Sequence, residues 1–211
     1  MDIKALRREY ASRALDESTI DADPIHQFRT WFDEALKSEV LDANAMAVAT
    51  VSAEGVPSVR TLLLKDIDPR GLVFFTHYNS PKGNDLLANP RASLLFYWAP
   101  LERQVRVTGD VERVPAAESD AYFASRPRES QVAAWAARQS SQLPDRAALE
   151  RRYEEIATKY QGQDVPRPPD WGGFRVVPHR FEFWQGRPKR LHDRVVYVKE
   201  GGGWRRARLA P

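Results

Sequence analysis

QVRVTGDVERV, residues 104–114, alternates apolar and polar side chains along its whole length. This period of two predicts a strand with one buried and one exposed face. Shortly before it, ASLLFYWA at 92–99 is rich in the apolar and aromatic residues that favour strands. Because only a tight turn separates the two runs, we expect them to pair in an antiparallel sheet.

Similar runs extend on both sides of this pair. Upstream lie AMAVATVS (45–52), VRTLLLKD (59–66) and LVFFT (72–76), and SPKGNDLLANP (80–90) is interpreted as a helical turn. Downstream lie GGFRVVP (172–178), RFEFWQ (180–185), RVVYVKE (194–200) and WRRARLAP (204–211), with GGG as the turn of the last hairpin. Short strands at roughly 8–12 residue spacing, joined by tight turns, predict an antiparallel barrel or sandwich.

Helical patterns interrupt the strands at two places. DPIHQFRTWFDEALKSEV (23–40) begins with Asp23 as the expected cap and Pro24 in the first turn. Residues 115–127, 128–139 and 145–161 form three further predicted helices between the fifth and sixth strands, and Pro127 should end the first of these. We therefore expect a mainly β, α+β fold, with a polar N-terminal arm at 1–22 and one domain at 23–211.

Composition excludes several classes of protein. The 211 residues are 42% hydrophobic and 29% charged, which is typical of a globular chain, and they include no cysteine. Disulfides, thiol catalysis and cysteine-ligated metals are therefore excluded. No apolar run reaches the length of about 18 residues that a membrane helix needs. The N-terminus has no apolar signal-peptide core, so we expect a cytoplasmic location and no membrane partner.

The net charge of +3 is too small to indicate nucleic-acid binding, but its distribution is uneven. From residue 171 onwards there are ten Arg and Lys against three Asp and Glu, a local charge of +7. The preceding residues therefore carry −4. This basic C-terminal section predicts either a local anionic partner, such as a phosphate group, or an ordinary solvated edge.

Several kinds of catalytic site lack support in the sequence. The four histidines are scattered without a paired metal-binding spacing, so no metal is expected. GxSxG, P-loop and GxGxxG patterns are all absent. What remains is a set of cationic and amide side chains near the ends of predicted strands.

These cationic and amide side chains form five small groups. They are Arg60 with Lys65, Lys82 in SPKG, the trio Tyr122, Arg126 and Ser130, the QSS at 139–141, and FEFWQGRPKRLHDR at 181–194. Lys82 lies at the expected start of a helix, whose free N–H groups favour anions. The trio is spaced by four residues, which would place a phenol, a guanidinium and a hydroxyl together, a set suited to a phosphate monoester. Each group alone could equally be exposed surface, but two phosphate-sized groups in one chain favour a site.

Six motifs in this order resemble the pyridoxamine 5′-phosphate oxidase family, from about Leu6 to the last residue. They are RTLLLK, ERQVRVTG, YFASRPRESQ, WAARQSS, WGGFRV and EFWQG…RLHDR, and the chain closes with RLAP. The resemblance implies an FMN-binding split β-barrel that works as a homodimer, with two sites at the subunit interface. It implies oxidation of pyridoxine or pyridoxamine 5′-phosphate to pyridoxal 5′-phosphate, with O2 reduced to H2O2, and no nucleic-acid partner.

The resemblance also implies roles for individual residues. FMN contacts are expected from Arg60, Thr61, Leu62, Leu63, Leu64, Lys65, Phe75, Thr76, Lys82, Gln104, Gln139, Ser140, Trp184 and Arg194. Substrate contacts are expected from Arg7, Arg8, Glu9 and Tyr10 in the arm, and from Lys65, Tyr122, Arg126, Ser130, Arg190, Leu191 and His192. Arg190 and His192 are the expected catalytic pair, with His192 acting either as a base or as a group that orients the substrate.

Two positions depart from the family pattern. Phe75 stands where a tyrosine is usual, and Pro81 stands where an arginine is usual, next to Lys82. Proline supplies neither a cation nor a backbone N–H, so we expect FMN to bind more weakly than in the family at large. Two alternative functions stay open: a flavin oxidase of another aromatic substrate, such as a phenazine precursor, and a non-catalytic carrier of FMN or pyridoxal phosphate.

Overall fold

A computed structural model describes residues 14–38 and 40–211, in which nine strands form one antiparallel sheet with five α-helices around it. This arrangement confirms the predicted α+β fold, a curled half-barrel. The strands are β1 (Ala45–Val51), β2 (Pro57–Leu63), β3 (Asp66–Asp68), β4 (Gly71–His77), β5 (Arg91–Trp98), β6 (Arg103–Arg113), β7 (Trp171–Gln185), β8 (Asp193–Glu200) and β9 (Gly203–Arg208). The helices are α1 (Pro24–Lys37), α2 (Pro81–Ala88), α3 (Ala116–Ser125), α4 (Arg128–Ala136) and α5 (Arg146–Lys159).

The strand order is β2-β1-β5-β6-β7-β4-β3, and β8 extends from β7 to pair with β9. The predicted antiparallel pairing of β5 with β6 is confirmed, with Tyr97 opposite Gln104 and Ser93 opposite Thr108. β2 lies at one end of this order, so among the described residues one of its backbone edges has no strand beside it.

The prediction of two separate strands at 172–178 and 180–185 is wrong, because β7 runs unbroken for 15 residues. Pro178 misled the sequence interpretation, since proline lacks the N–H that a central strand donates. A bulge in the β6–β7 pairing accommodates the proline: Thr108 pairs with Arg180 and Gly109 with Pro178, so His179 is the extra residue. Gly109 is required there, because a Cβ would come within 2.2 Å of the carbonyl oxygen of Val177.

The single strand predicted at 59–66 is also wrong at its C-terminal end. β2 ends at Leu63, and Asp66–Asp68 forms the separate strand β3, which pairs with β4 instead. The backbone N–H of Lys65, between the two strands, donates to the carbonyl of Val73 at 2.9 Å. The alternation of side chains gave no sign of this change of partner.

The start of α1 confirms its predicted cap: an Asp23 carboxylate oxygen accepts from the N–H of Ile25 at 2.8 Å. Its apolar face buries Phe28 against Phe96 and Trp31 against Phe183, each pair in an edge-to-face arrangement. α1 therefore closes one side of the barrel core. The predicted helical turn at 80–90 is a full helix of eight residues, α2, which begins at Pro81 after the Ser80 cap.

The three helices between β6 and β7 cover a second, smaller apolar cluster around Phe123, Val132 and Trp171. α3 ends at Ser125, as Pro127 predicts. No helix in the described part of the chain is both long and apolar enough to cross a membrane.

A fully buried arginine ties α3 to the sheet. The guanidinium of Arg175 on β7 lies 2.9 Å from a Glu118 carboxylate oxygen on α3, 3.2 Å from Asp68 on β3 and 3.4 Å from Glu112 on β6. A buried cation is tolerated only when it is paired, and here three carboxylates surround it. The network fixes the helix that carries Tyr122 relative to the strand that follows Lys65.

Candidate functional site

A cavity of about 350 Å³ lies between α3, α4 and the ends of β2, β4 and β7. We call it the helix-side cavity. Its lining includes eight residues expected from the resemblance, namely Leu63, Lys65, Phe75, Thr76, Tyr122, Arg126, Ser130 and Gln139. The predicted phosphate trio and Lys65 therefore line the same cavity.

The trio lies on two adjoining helical segments, as the sequence predicts, but its members do not share one helical face. Tyr122 lies on α3, Arg126 caps the C-terminus of α3 in an extended conformation, and Ser130 lies on α4 after the break at Pro127. Two helices separated by a proline thus bring the three side chains to one cavity. The prediction that they come together holds, although not because they share one helical face.

Arg126 is held against aromatic rings rather than against a carboxylate. Its guanidinium carbon lies 4.8 Å from the ring centre of Trp171 and 5.5 Å from that of Phe123. Burial lowers the pKa of the Arg126 guanidinium from its usual value. The Nη1 atom is buried without a hydrogen-bond partner among the described residues. A buried donor of this kind requires an acceptor, and an anion would supply one.

Three stacked rings form the floor of the helix-side cavity. Phe75 stacks on Tyr122 at 4.0 Å between ring centres and on Trp171 at 5.4 Å. Gly173, opposite Phe75 in the β4–β7 pairing, permits this stack, because a Cβ there would lie 2.9 Å from the Phe75 ring. Phe75 was expected to contact the cofactor, and the structure places its ring beside the phosphate trio.

A second cavity, of about 420 Å³, lies along the open edge of β2. We call it the edge-strand cavity. It is lined by residues 58–62 together with Pro81, Lys82, Gln139 and Ser140. An edge strand offers unpaired backbone groups to a ligand, which fits the expected contacts of Thr61 and Leu62. Gln139 lines both cavities, so the two are neighbours.

Arg60 and Lys82 are the cations of the edge-strand cavity. Arg60 donates to the Thr50 hydroxyl at 2.7 Å and to the Ser58 hydroxyl at 2.6 Å, and it lies 3.8 Å from an Asp85 carboxylate oxygen. The buried Lys82 amine donates to Gln139 Oε1 at 2.8 Å, to Thr76 Oγ1 at 3.1 Å and to Ser80 Oγ at 3.2 Å. Only neutral oxygens therefore accept the hydrogen bonds described for Lys82.

Burial, and to a smaller extent the positive charge of Arg60, lowers the pKa of the Lys82 ammonium to about 8. The cause is physical: an ammonium removed from water loses solvation that neutral oxygens replace only in part. A bound anion beside Lys82 would reverse this shift. The site is thus built for negative charge.

The other predicted residues lie elsewhere in the chain. Gln104, Trp184 and Arg194 form one row across β6, β7 and β8, with each residue directly opposite the next. The His192 ring lies 4.7 Å from that of Trp184, and His192 Nδ1 accepts from the N–H of Arg187 at 3.1 Å. Arg190 and Leu191 are exposed in the turn before β8.

None of these six predicted residues, Gln104, Trp184, Arg190, Leu191, His192 and Arg194, lines the helix-side or the edge-strand cavity. Trp171 and Trp184 lie at opposite ends of β7, thirteen residues apart, which is roughly 40 Å along the strand at about 3.3 Å per residue. The predicted site therefore falls into two groups. The arm residues Arg7, Arg8, Glu9 and Tyr10 lie outside the described residues.

Trp171 and His77 are among the residues of the helix-side cavity that sequence reasoning missed. Trp171 supplies the ring beneath Arg126, and the buried His77 lies on the same wall. His77 Nδ1 is 3.8 Å from an Asp170 carboxylate oxygen, and burial lowers the pKa of the imidazole. The signal for His77 was its position directly after Thr76, but a search for metal-ligand spacing discarded it.

Two family models match successive parts of the chain. A family model described as pyridoxamine 5′-phosphate oxidase matches residues 32–160. A second, described as the C-terminal dimerisation region of pyridoxine 5′-phosphate oxidase, matches residues 171–211. The second match contains Trp184, Arg190, His192 and Arg194.

Among relatives, a pyridoxine/pyridoxamine 5′-phosphate oxidase of Ralstonia pickettii is 57% identical over 210 residues, covering 99% of each chain. PhzG from Burkholderia lata, solved in complex with tetrahydrophenazine-1-carboxylic acid, is 32% identical with a TM-score of 0.90, covering 95% of this chain and all of that one. An FMN-binding protein of Nostoc punctiforme related to pyridoxamine 5′-phosphate oxidase is 17% identical with a TM-score of 0.72, and covers 91% of this chain and all of that one. The last likeness supports the fold alone.

The first prediction concerns Lys82. In NMR spectra of protein labelled at the lysine ε-carbon, we expect one signal to titrate with a midpoint near pH 8, because burial favours the neutral amine. The signal should disappear in Lys82→Met, and its midpoint should rise in Arg60→Gln, which removes a neighbouring positive charge. A protein in which no lysine titrates below the ordinary value of about 10.4 would contradict this environment.

Proposed function

The chain belongs to the pyridoxamine 5′-phosphate oxidase family, and we propose that it oxidises pyridoxine and pyridoxamine 5′-phosphate to pyridoxal 5′-phosphate with FMN as its cofactor. Electrons pass in the end to O2, which is reduced to H2O2. The observation that carries the proposal is the pair of adjoining cavities. One contains the half-buried Arg126 and the other the buried Lys82, and the described contacts of neither cation include a carboxylate. One cavity would take the substrate phosphate and the other the cofactor phosphate.

The helix-side cavity suits the phosphate of the substrate. Arg126 offers the unpartnered Nη1, Tyr122 and Ser130 offer hydroxyls, and Lys65 offers a second cation from the rim. A phosphate monoester carries up to two charges and three terminal oxygens, which these four side chains can match. Binding would satisfy the buried Nη1 donor, which has no hydrogen-bond partner among the described residues.

The edge-strand cavity suits the phosphate and ribityl chain of FMN. Arg60 and Lys82 supply positive charge, Ser140 and Gln139 supply polar side chains, and the β2 edge supplies backbone groups. The depressed pKa of Lys82 supports this assignment, because an adjacent anion would restore the charged ammonium. The residues present therefore fit the cofactor.

When bound, the flavin supplies the redox chemistry, because it can accept two electrons from the substrate and pass them to oxygen. The protein supplies position: a phosphate handle for each ligand holds it at a point remote from the reacting atoms. Arg190 would stabilise negative charge on the ring oxygen of the substrate.

His192 fits the role of an orienting donor better than that of a base. Its Nδ1 accepts a hydrogen bond from the backbone of Arg187. In the neutral ring the proton then lies on Nε2, which can donate to the substrate but cannot accept its proton. The geometry therefore supports the orienting role, which is one of the two roles that the sequence left open for His192.

A second copy of the chain would complete each site. Gln104, Trp184 and Arg194 lie on the sheet face that also exposes Val59, Leu63 and Tyr97. Exposed apolar side chains on a sheet face favour burial against another protein surface. A twofold homodimer would place the row of one copy against the cavities of the other, and the match of residues 171–211 to a dimerisation region supports this assembly.

Oxidation of another aromatic compound is the second candidate, favoured by the likeness to PhzG. That protein was solved with a phenazine carboxylic acid, which has no phosphate. Substrate phosphate is therefore the feature that separates the two functions experimentally.

The second prediction tests the oxidase. With FMN supplied, purified protein in air should convert pyridoxine 5′-phosphate to pyridoxal 5′-phosphate with one H2O2 per product. Pyridoxine, which lacks the phosphate, should react at least about 100-fold less efficiently in kcat/KM, because charge-assisted hydrogen bonds contribute roughly 1.5–3 kcal/mol each. FMN-loaded protein that instead oxidises tetrahydrophenazine-1-carboxylic acid and leaves pyridoxine 5′-phosphate unchanged would favour the second candidate.

The third prediction tests the shared site by complementation. Arg126→Met and His192→Asn should each abolish most activity as homodimers. A mixed dimer, purified through two different tags, should recover about half the wild-type activity, because one of its two sites then receives both groups intact. If each site took both groups from a single chain, the mixed dimer would be as inactive as its parents.

The fourth prediction concerns Pro81, which lines the edge-strand cavity beside Lys82. Pro81→Arg should lower the Kd for FMN at least about tenfold, since it adds one charge-assisted hydrogen bond. Quenching of flavin fluorescence during titration of the FMN-free protein measures this affinity. Pro81→Gln is the matched control, which removes the proline without adding charge, and an equal effect of both variants would refute the electrostatic explanation.

A further inference from the structure

Glu182 is a buried carboxylate surrounded by three arginines. It is 3% exposed, on the central strand β7. Arg194 lies 2.8 Å from Glu182 Oε1, while Arg106 and Arg180 lie 3.5 Å and 3.7 Å from Oε2. One negative charge therefore faces three positive charges, and the cluster keeps a net charge of +2.

The sheet register places this carboxylate next to the proposed flavin contacts. Trp184 is opposite Gln104 and Arg194, and Glu182, two residues earlier on the same face of β7, is opposite Arg106. Side chains two residues apart on one strand share a face and lie within reach of diagonal neighbours. Glu182 thus contacts Arg194 from the adjacent row.

The contacts of Arg194 fix the plane of its guanidinium. Nε donates to Glu182 Oε1 at 2.9 Å, Nη2 lies 2.8 Å from the same oxygen, and Nη1 donates to the carbonyl of Ala210 at 2.7 Å. An arginine held at both ends of its fork loses the freedom that a long side chain otherwise has. Glu182 supplies two of these three contacts.

We propose that Glu182 is a positioning residue that orients Arg194 toward the flavin, and that its negative charge holds the reduction potential of the bound flavin down. The inference rests on the proposed function together with the expected contact of Arg194 with FMN. Two-electron reduction adds negative charge to the flavin ring, and nearby positive charge favours that state. By neutralising part of the arginine cluster, Glu182 keeps the reduced flavin less stable and so a better electron donor to oxygen.

The experiment measures the midpoint potential of the FMN-loaded dimer against redox dyes. Glu182→Gln keeps an oxygen that can accept from Arg194 but removes the charge. We expect its flavin to be reduced more readily, with at least a tenfold shift in the ratio of reduced to oxidised flavin at a fixed potential, equivalent to about 30 mV for a two-electron couple. Glu182→Asp, which retains the charge, should shift the potential less than Glu182→Gln does.

Glu200→Gln is the matched control. Glu200 also pairs with an arginine, Arg205, but at the far end of β8, so this variant makes the same change in net charge away from the row. Its potential should equal that of the wild type. No shift in Glu182→Gln, or an equal shift in both glutamine variants, would overturn the inference.

Arg106→Gln provides a second test should Glu182→Gln fail to fold. Arg106 is 56% exposed in its side chain, and its removal should shift the potential in the opposite direction, downward. An unchanged potential there would also count against the inference. Wild-type protein that takes up no FMN would overturn both the inference and the proposed function. FMN-loaded protein without oxidase activity would overturn the proposed function alone, and the measured midpoint potentials would then decide the role of Glu182.

Discussion

The continuity of β7 is the constraint on which the rest of the molecule depends. The strand pairs with β6, β4 and β8. Trp171 and Gly173 at its start shape the helix-side cavity, while Trp184 near its other end belongs to the proposed flavin row. If β7 were interrupted at Pro178, the helix-side cavity and the proposed flavin row would lie on two separate strands. The bulge at His179, opposite the close contact of Gly109, keeps them in one rigid element. A rigid strand with half a site at each end favours assembly with a second copy.

The buried cations fall into two kinds, and their partners distinguish them. Arg175 is surrounded by three carboxylates and therefore stabilises the fold, joining α3 to the sheet. In the part of the chain that the structure describes, Lys82 is buried among neutral oxygens and the half-buried Arg126 lies against aromatic rings. A protein that keeps such cations without carboxylate partners bears a cost in stability, and an anionic ligand is the natural compensation.

Much of this arrangement could be predicted from the sequence, and the failures have physical causes. Alternation and capping residues predicted β5, β6 and the start of α1, because those signals are local. The unbroken β7 could not be predicted, since the bulge that accommodates Pro178 is formed with a distant strand. β3 was missed for the same reason: its partner, β4, becomes apparent only once the chain has folded.

The residues of the candidate site could be predicted from the local sequence, whereas their arrangement in space depends on distant parts of the chain. The sequence motifs identified the residues of both groups. They did not predict the separation of the two groups along β7, because motifs give the order of residues along the chain and not their distances in space. Arg175 and Glu182 were overlooked because a charged residue in a strand is expected to face solvent. Their burial depends on partners contributed by other elements of the fold.

The likeness to PhzG shows how little the fold alone decides about the substrate. The ligand charge that the helix-side cavity prefers is set by Arg126 and Lys65, together with the hydroxyls of Tyr122 and Ser130. A carboxylate has one charge and two oxygens, so it would leave part of this set without a partner. A phosphate can engage all four donors and balance both cations, and the unpartnered Nη1 of Arg126 makes the difference costly. The side chains that line the helix-side cavity, more than the similarity of the barrel fold to that of PhzG, therefore favour a phosphorylated substrate.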